Sequence, residues 1–224
     1  MKTYIAELKK VFEENANPQN AEGQKAYMKN HFDFLGLSSP VRRELQKPFM
    51  VQKYLPDKEE MKQIVQQLWQ EPYREYQYFA QELAQKYIKQ PDIGDIDLYE
   101  YMIKHKSWWD TVDFIAAKLV GPYFKAFPER RKEIIESWLK SNNIWLQRSA
   151  LLFQLKYKEK TDTDFLSYII QTLLGSDEFF INKAIGWILR EYAKTNPEWV
   201  RKFVAETPEL DKLSKKEALR IINQ

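Results

Sequence analysis

In the segment HKSWWDTVDFIAAKL, Asp113 follows Trp109 by four residues, a spacing that on a helix puts a carboxylate and an electron-rich ring on one face. Such a carboxylate can steady developing positive charge or take a proton from water. An indole face attracts a cation. Asp110 has a simpler explanation, because Ser107 three residues earlier makes a capping-box-like start. Asp113 lies beyond the first turn, where capping is not available to it. Adjacent Trp108 and Trp109 point about 100° apart on a helix, so both cannot enter one core stripe and one is expected to face a groove.

Arg148, in NNIWLQRSALLFQLKYK, stands one repeat along from Val112 and one position off that of Asp113, so it is expected to project near the same face. An Arg148–Asp113 salt bridge that only locks neighbouring segments fits the spacing equally well, and the two roles are compatible. In INKAIGWILREYAK, Lys183, Trp187, Arg190 and Lys194 form a basic stripe with an aromatic inside it, at i, i+4, i+7 and i+11. It suits a partner with negative charge and flat rings, but a solvated helix face with a packing Trp187 fits as well. Further basic clusters, Arg42/Arg43/Lys47, Lys156/Lys158/Lys160 and Lys212/Lys215/Lys216/Arg220, each read alone as solvated surface.

The elements that must carry these residues read as helices. The chain of 224 residues has 6 Gly, and most segments place apolar residues at i, i+3, i+4 and i+7, which predicts an all-α fold. Starts are expected near Lys2, Gln19 and Pro40, then at punctuation by Pro56, Pro72, Pro91, Pro128, Asn143, Asp162, Asp177, Pro197 and Leu213. Four segments share a frame: EPYREYQYFAQEL, SWWDTVDFIAAKL, NIWLQRSALLFQL and EFFINKAIGWIL. Their closing leucines, Leu83, Leu119, Leu155 and Leu189, are 36, 36 and 34 residues apart, and ten residues before them stand Tyr73, Trp109, Trp145 and Phe179. A repeat of about 35 residues with two helices predicts a right-handed HEAT-like α-solenoid whose second helices line a concave face, as a single domain over 1–224.

Composition limits the chemistry. With no Cys, thiolate nucleophiles, disulfides and iron–sulfur clusters are excluded, and the two histidines, His31 and His105, stand too far apart in sequence to suggest a metal site. No cofactor is expected. A net charge of +3 permits nucleic-acid binding without arguing for it, while 7 Trp, 13 Tyr and 13 Phe exceed what the core obviously needs, so some rings are free to face a ligand. There is no apolar run of membrane-spanning length and no secretory signal pattern, which predicts a cytoplasmic protein; a monomer is expected.

Taken together, YMKNHFDFLG, KSWWDTVD, NIWLQRSALLFQLKYK and EFFINKAIGWILREYAKTNP resemble the AlkD type of bacterial DNA alkylation repair glycosylases over nearly the whole chain. The resemblance implies metal-independent hydrolysis of the N-glycosidic bond of N3-methyladenine and N7-methylguanine in duplex DNA, a step of base excision repair, in a family that can act on a base without enclosing it. It places the catalytic carboxylate on Asp113, cleft tryptophans on Trp109 and Trp187, a cleft arginine on Arg148 and a lesion-facing tyrosine on Tyr27. Lys156, Lys183, Arg190 and Lys194 are then candidate DNA contacts, and Ser38 stands where relatives are expected to vary. Two other readings remain open: a non-enzymatic solenoid with a protein partner, and a relative that binds distorted DNA without cutting it.

Overall fold

The structure, a computed structural model, describes residues 2–222, which fold as helices and turns with no strand among them. Two compact units divide the chain, residues 1–91 and 92–224.

The first unit holds α1 (Lys2–Glu14), α2 (Pro18–Tyr27), α3 (Ser39–Gln46), α4 (Lys58–Gln70) and α5 (Arg74–Gln85). Local chemistry sets the starts. Asn17 caps α2 by accepting from the Asn20 amide, with Pro18 at the first position, and Asp57 caps α4 by accepting from the Glu60 amide. Leu8, Phe12, Ile64, Leu68, Trp69, Phe79 and Leu83 are wholly buried. Between α2 and α3, the buried Glu75 carboxylate collects three amides, of Leu35, Gly36 and Leu37, at 3.0, 3.0 and 3.1 Å. Gly36 is required there: its φ is +84°, and a Cβ would stand 1.9 Å from the Asn17 carbonyl oxygen. Tyr27, the last residue of α2, is 68% exposed, and Ser38 precedes α3.

The second unit holds α6 (Asp95–Lys104), α7 (Trp109–Ile115), a wide π turn (Ala116–Val120), α8 (Gly121–Ala126), α9 (Arg131–Lys140), α10 (Ile144–Leu152), α11 (Thr163–Thr172), α12 (Phe179–Ala193), α13 (Pro197–Glu206) and α14 (Lys212–Ala218). Asn143, Asp162, Asn196 and Asp211 cap α10, α11, α13 and α14 through their side chains. α10 packs between α7 and α12, while α6 lies against both α7 and α10, α9 against α10, and α13 and α14 against α12. The aromatic frame holds in both units. Tyr73 directly precedes α5, Trp109 and Phe179 open α7 and α12, and Trp145 stands in the first turn of α10. The four closing leucines are all buried.

Candidate active site

α7 carries the carboxylate, and its start differs from the sequence expectation. The Ser107 hydroxyl donates to the Ile103 carbonyl at 2.5 Å, closing the end of α6, and Trp108 rather than Ser107 leaves helical geometry before α7. The expected Ser107–Asp110 capping box therefore does not form. Shifting the boundary by one residue puts a side chain without an acceptor at the cap, and no side-chain cap is made. Asp110 stays in the first turn, where negative charge suits the helix N-terminus.

The two tryptophans separate because Trp108 is extended and only Trp109 is helical, rather than by an angular offset along one helix. Trp108 turns into a cluster with Trp145 and Phe180, its ring centroid 5.6 and 5.1 Å from theirs, and Trp145 and Phe180 are 4.9 Å apart. These three rings tie together the starts of α7, α10 and α12. Trp109 is left half-buried one turn before Asp113.

From α10, Arg148 reaches Asp113 with two parallel bonds, Nε donating to Oδ1 at 2.7 Å and Nη2 to Oδ2 at 2.8 Å. Its Nη1 donates to the Phe180 carbonyl at 2.5 Å, and the guanidinium lies 5.8 Å from the Phe180 ring centroid. The Arg148 side chain is 4% exposed and that of Asp113 14%, so the arginine is the more deeply buried partner. A carboxylate has about four lone-pair directions, so a partner at each oxygen leaves one direction free on each. Burial pushes the Asp113 carboxyl above its ordinary value; the Arg148 bonds and charge pull it down, Asp110 adds a push upward, and the net direction is up.

On α12, Trp187 is half-buried between two cations that the structure pairs with one acid. Lys183 Nζ donates to Glu217 Oε1 at 2.6 Å, and Arg190 Nη1 donates to Glu217 Oε2. Lys194 pairs with Glu191 on its own helix at 2.6 Å, and Lys156 is exposed just after α10. Of the expected stripe, Lys183 and Arg190 are thus held from α14 and Lys194 by an acid of its own helix. Asp113, Arg148 and Trp109 come together on adjoining helices; Tyr27 belongs to the first unit. Sequence reasoning missed Phe180 and Glu217. Phe180 was within reach, being next to Phe179 in the repeat frame. Glu217 was not, because α14 lies outside that frame and its charges read as solvated.

Among the described residues, no group of three or more His, Cys, Asp or Glu could hold a metal ion, and no helix is long and apolar enough to cross a membrane.

Comparison with known proteins shows the family. The family model described as "DNA alkylation repair enzyme" matches residues 8–222. A solved structure described as a predicted DNA alkylation repair enzyme from Enterococcus faecalis is similar to the chain with a TM-score of 0.86 and 34% identity, over 93% of this chain and 97% of that one. No curated protein matches. The chain belongs to the DNA alkylation repair enzyme family.

Proposed function

We propose that this protein is a DNA N-glycosylase that excises positively charged alkylated purines, N3-methyladenine and N7-methylguanine, from duplex DNA without a metal. The observation that carries the reading is the Asp113 carboxylate, held by two bonds from a buried arginine, its side chain 14% exposed, one helical turn from Trp109.

The chemistry fits the parts. A purine alkylated at N3 or N7 is cationic and departs neutral, so it needs little help from a general acid. The barrier lies in the charge that builds on the deoxyribose as the bond to C1′ stretches, as in the oxocarbenium-like transition states of glycoside hydrolysis. Asp113 stabilises that charge and positions or deprotonates the attacking water through its free lone pairs. Arg148 fixes the carboxylate in place through its bonds to Asp113 and to the Phe180 carbonyl, and a backbone phosphate would have to reach it where its side chain is 4% exposed. Trp109 and Trp187 offer ring faces to the cationic nucleotide, with about 0.5–2 kcal/mol of attraction each depending on desolvation. Lys156, Lys183, Arg190 and Lys194 contact phosphates, and Tyr27, in the first unit, is a further candidate for contact with the DNA; such contacts position the duplex without reading sequence.

The packing of α10 against both α7 and α12, with α6 and α9 also against α10, supports stacked helix pairs, which we read as a right-handed HEAT-like solenoid. We extend it over 1–224 as one domain, monomeric and cytoplasmic, working on DNA in base excision repair. One observation favours a second reading. The Arg148–Asp113 pair is complete without any ligand, as in a binding protein whose carboxylate only joins two helices.

The two separate on release of N7-methylguanine and N3-methyladenine from methylated duplex DNA in chelator, by the wild type and by Asp113→Asn. Release by the wild type alone is the outcome expected of the glycosylase. No release by either would leave a binding protein.

A further inference from the structure

Glu217 is the one acid that faces α12 from α14 in direct contact with its basic stripe, and it takes both cations that flank Trp187. Its side chain is 10% exposed, against 37% for Lys183 and 23% for Arg190. The seat is built closely: a Cβ on Gly186 would stand 2.5 Å from the Glu217 Cβ, and the Ser214 hydroxyl, one turn earlier on α14, donates to the Asn182 carbonyl at 2.8 Å. Hydrogen bonding from Lys183 and the charges of Lys183, Arg190 and Arg220 hold the Glu217 carboxyl below its ordinary value although burial opposes them, so it stays charged throughout the neutral range.

We propose that Glu217 is a specificity-determining residue that withholds Lys183 and Arg190 from undamaged DNA, making their contact with phosphate conditional on a duplex that offers more at the Trp187 face. The inference rests on the glycosylase reading and adds to it a competitor built into the protein. The trio of Lys183, Arg190 and Glu217 carries a net charge of one. A phosphate that engages either cation must displace a carboxylate bonded to both, whereas an unopposed pair would grip any duplex. An arrangement of this kind lowers affinity everywhere and lowers it least where a cationic nucleotide supplies its own attraction to Trp187. In a solvated stripe serving only solubility, the two cations would have no need of an anion brought from another helix.

The test is the salt dependence of binding to undamaged duplex DNA. Removing the charge by Glu217→Gln raises the trio's net charge from one to two, so the slope of log affinity against log salt should steepen by roughly 0.9, the value for one more neutralised phosphate. Affinity for undamaged DNA should rise several-fold at low salt, and the preference for methylated over undamaged duplex should shrink. The double variant Lys183→Met/Glu217→Gln restores a net charge of one and should return the slope to that of the wild type. If Glu217→Gln proves unstable, Glu217→Asp, which keeps the charge but shortens its reach to Lys183 and Arg190, should steepen the slope in the same direction by a smaller amount. A Glu217 that served only to seat α14 would weaken binding on removal and leave the slope unchanged. An unchanged or shallower slope in both comparisons overturns the inference while leaving the glycosylase reading intact. Wild-type binding without any salt dependence overturns both.

Discussion

Arg148 holds Asp113 by both carboxylate oxygens while its own third nitrogen is tied to the Phe180 carbonyl, so an arginine fixed on two helices orients a carboxylate on a third. Each partner then has a different cost of removal. Asp113→Asn keeps the shape and one acceptor but loses the charge that would stabilise a cationic sugar. Excision is expected to fall by about 10²-fold or more, with most affinity for DNA retained. Single-turnover release of N7-methylguanine alongside a binding titration checks this, and full-rate excision by the variant would show that another group does the chemistry.

Arg148→Ala leaves the carboxylate enclosed without its counter-charge. Removing one member of a buried pair costs on the order of 3–5 kcal/mol, so this variant is expected to lose stability in urea as well as excision and DNA affinity. A variant of wild-type stability would mean that the pair is not closed in solution.

The pH profile follows from the upward direction of the Asp113 carboxyl. Excision needs the charged form, so the acid limb is expected above the ordinary value of 3.8, and it should vanish from whatever residual rate Asp113→Asn retains. For stability, a carboxyl raised on folding means that the folded chain binds more protons than the unfolded one between 3.8 and the raised value. Its contribution is therefore present below 3.8 and lost as pH rises through that window. Urea unfolding at several pH values, wild type minus Asp113→Asn, isolates this slope. A difference that rises with pH would mean that Arg148 outweighs burial.

Much of this was legible from neighbouring residues alone. Asn143 and Asp162 announce helix starts because a side-chain acceptor followed by free amides is a local device. The approach of Arg148 to Asp113 was legible because a repeat carries one position onto the next. The fate of Ser107 was not, since its hydroxyl stands between two helices and tertiary packing decides which one it serves. Nor was the Phe180 carbonyl as a partner of Arg148, because a backbone acceptor leaves no mark on residue type. Glu217 sits among lysines in KLSKKEALR, where spacing gives no hint that the acid turns inward and the lysines do not.

Trp109 and Trp187 are expected to matter through charge as well as area. Trp109→Ala and Trp187→Ala each forfeit roughly 0.5–2 kcal/mol of attraction to a cationic nucleotide, or about 2- to 30-fold in rate. The loss should be larger for cationic N7-methylguanine than for a neutral lesion of similar size. Equal losses on both substrates would reduce the rings to shape.

Gly186 gives opposed expectations for two arrangements of α14. In an exposed helix interior, Gly→Ala stabilises by up to about 1 kcal/mol, because alanine is the better helix former. Here the added Cβ would meet the Glu217 Cβ at 2.5 Å and the Ser214 carbonyl oxygen at 3.0 Å, neither of which is the free end of a flexible side chain. Overpacking of this kind costs roughly 1–3 kcal/mol, and at about 2–4 °C per kcal/mol for a chain of this size Gly186→Ala should lower the melting temperature by roughly 2–12 °C. The same displacement would draw Glu217 away from Lys183 and Arg190, so the variant should also steepen the salt dependence of DNA binding in the direction of Glu217→Gln. A higher melting temperature with an unchanged salt slope would show that α14 is not seated on α12 in solution.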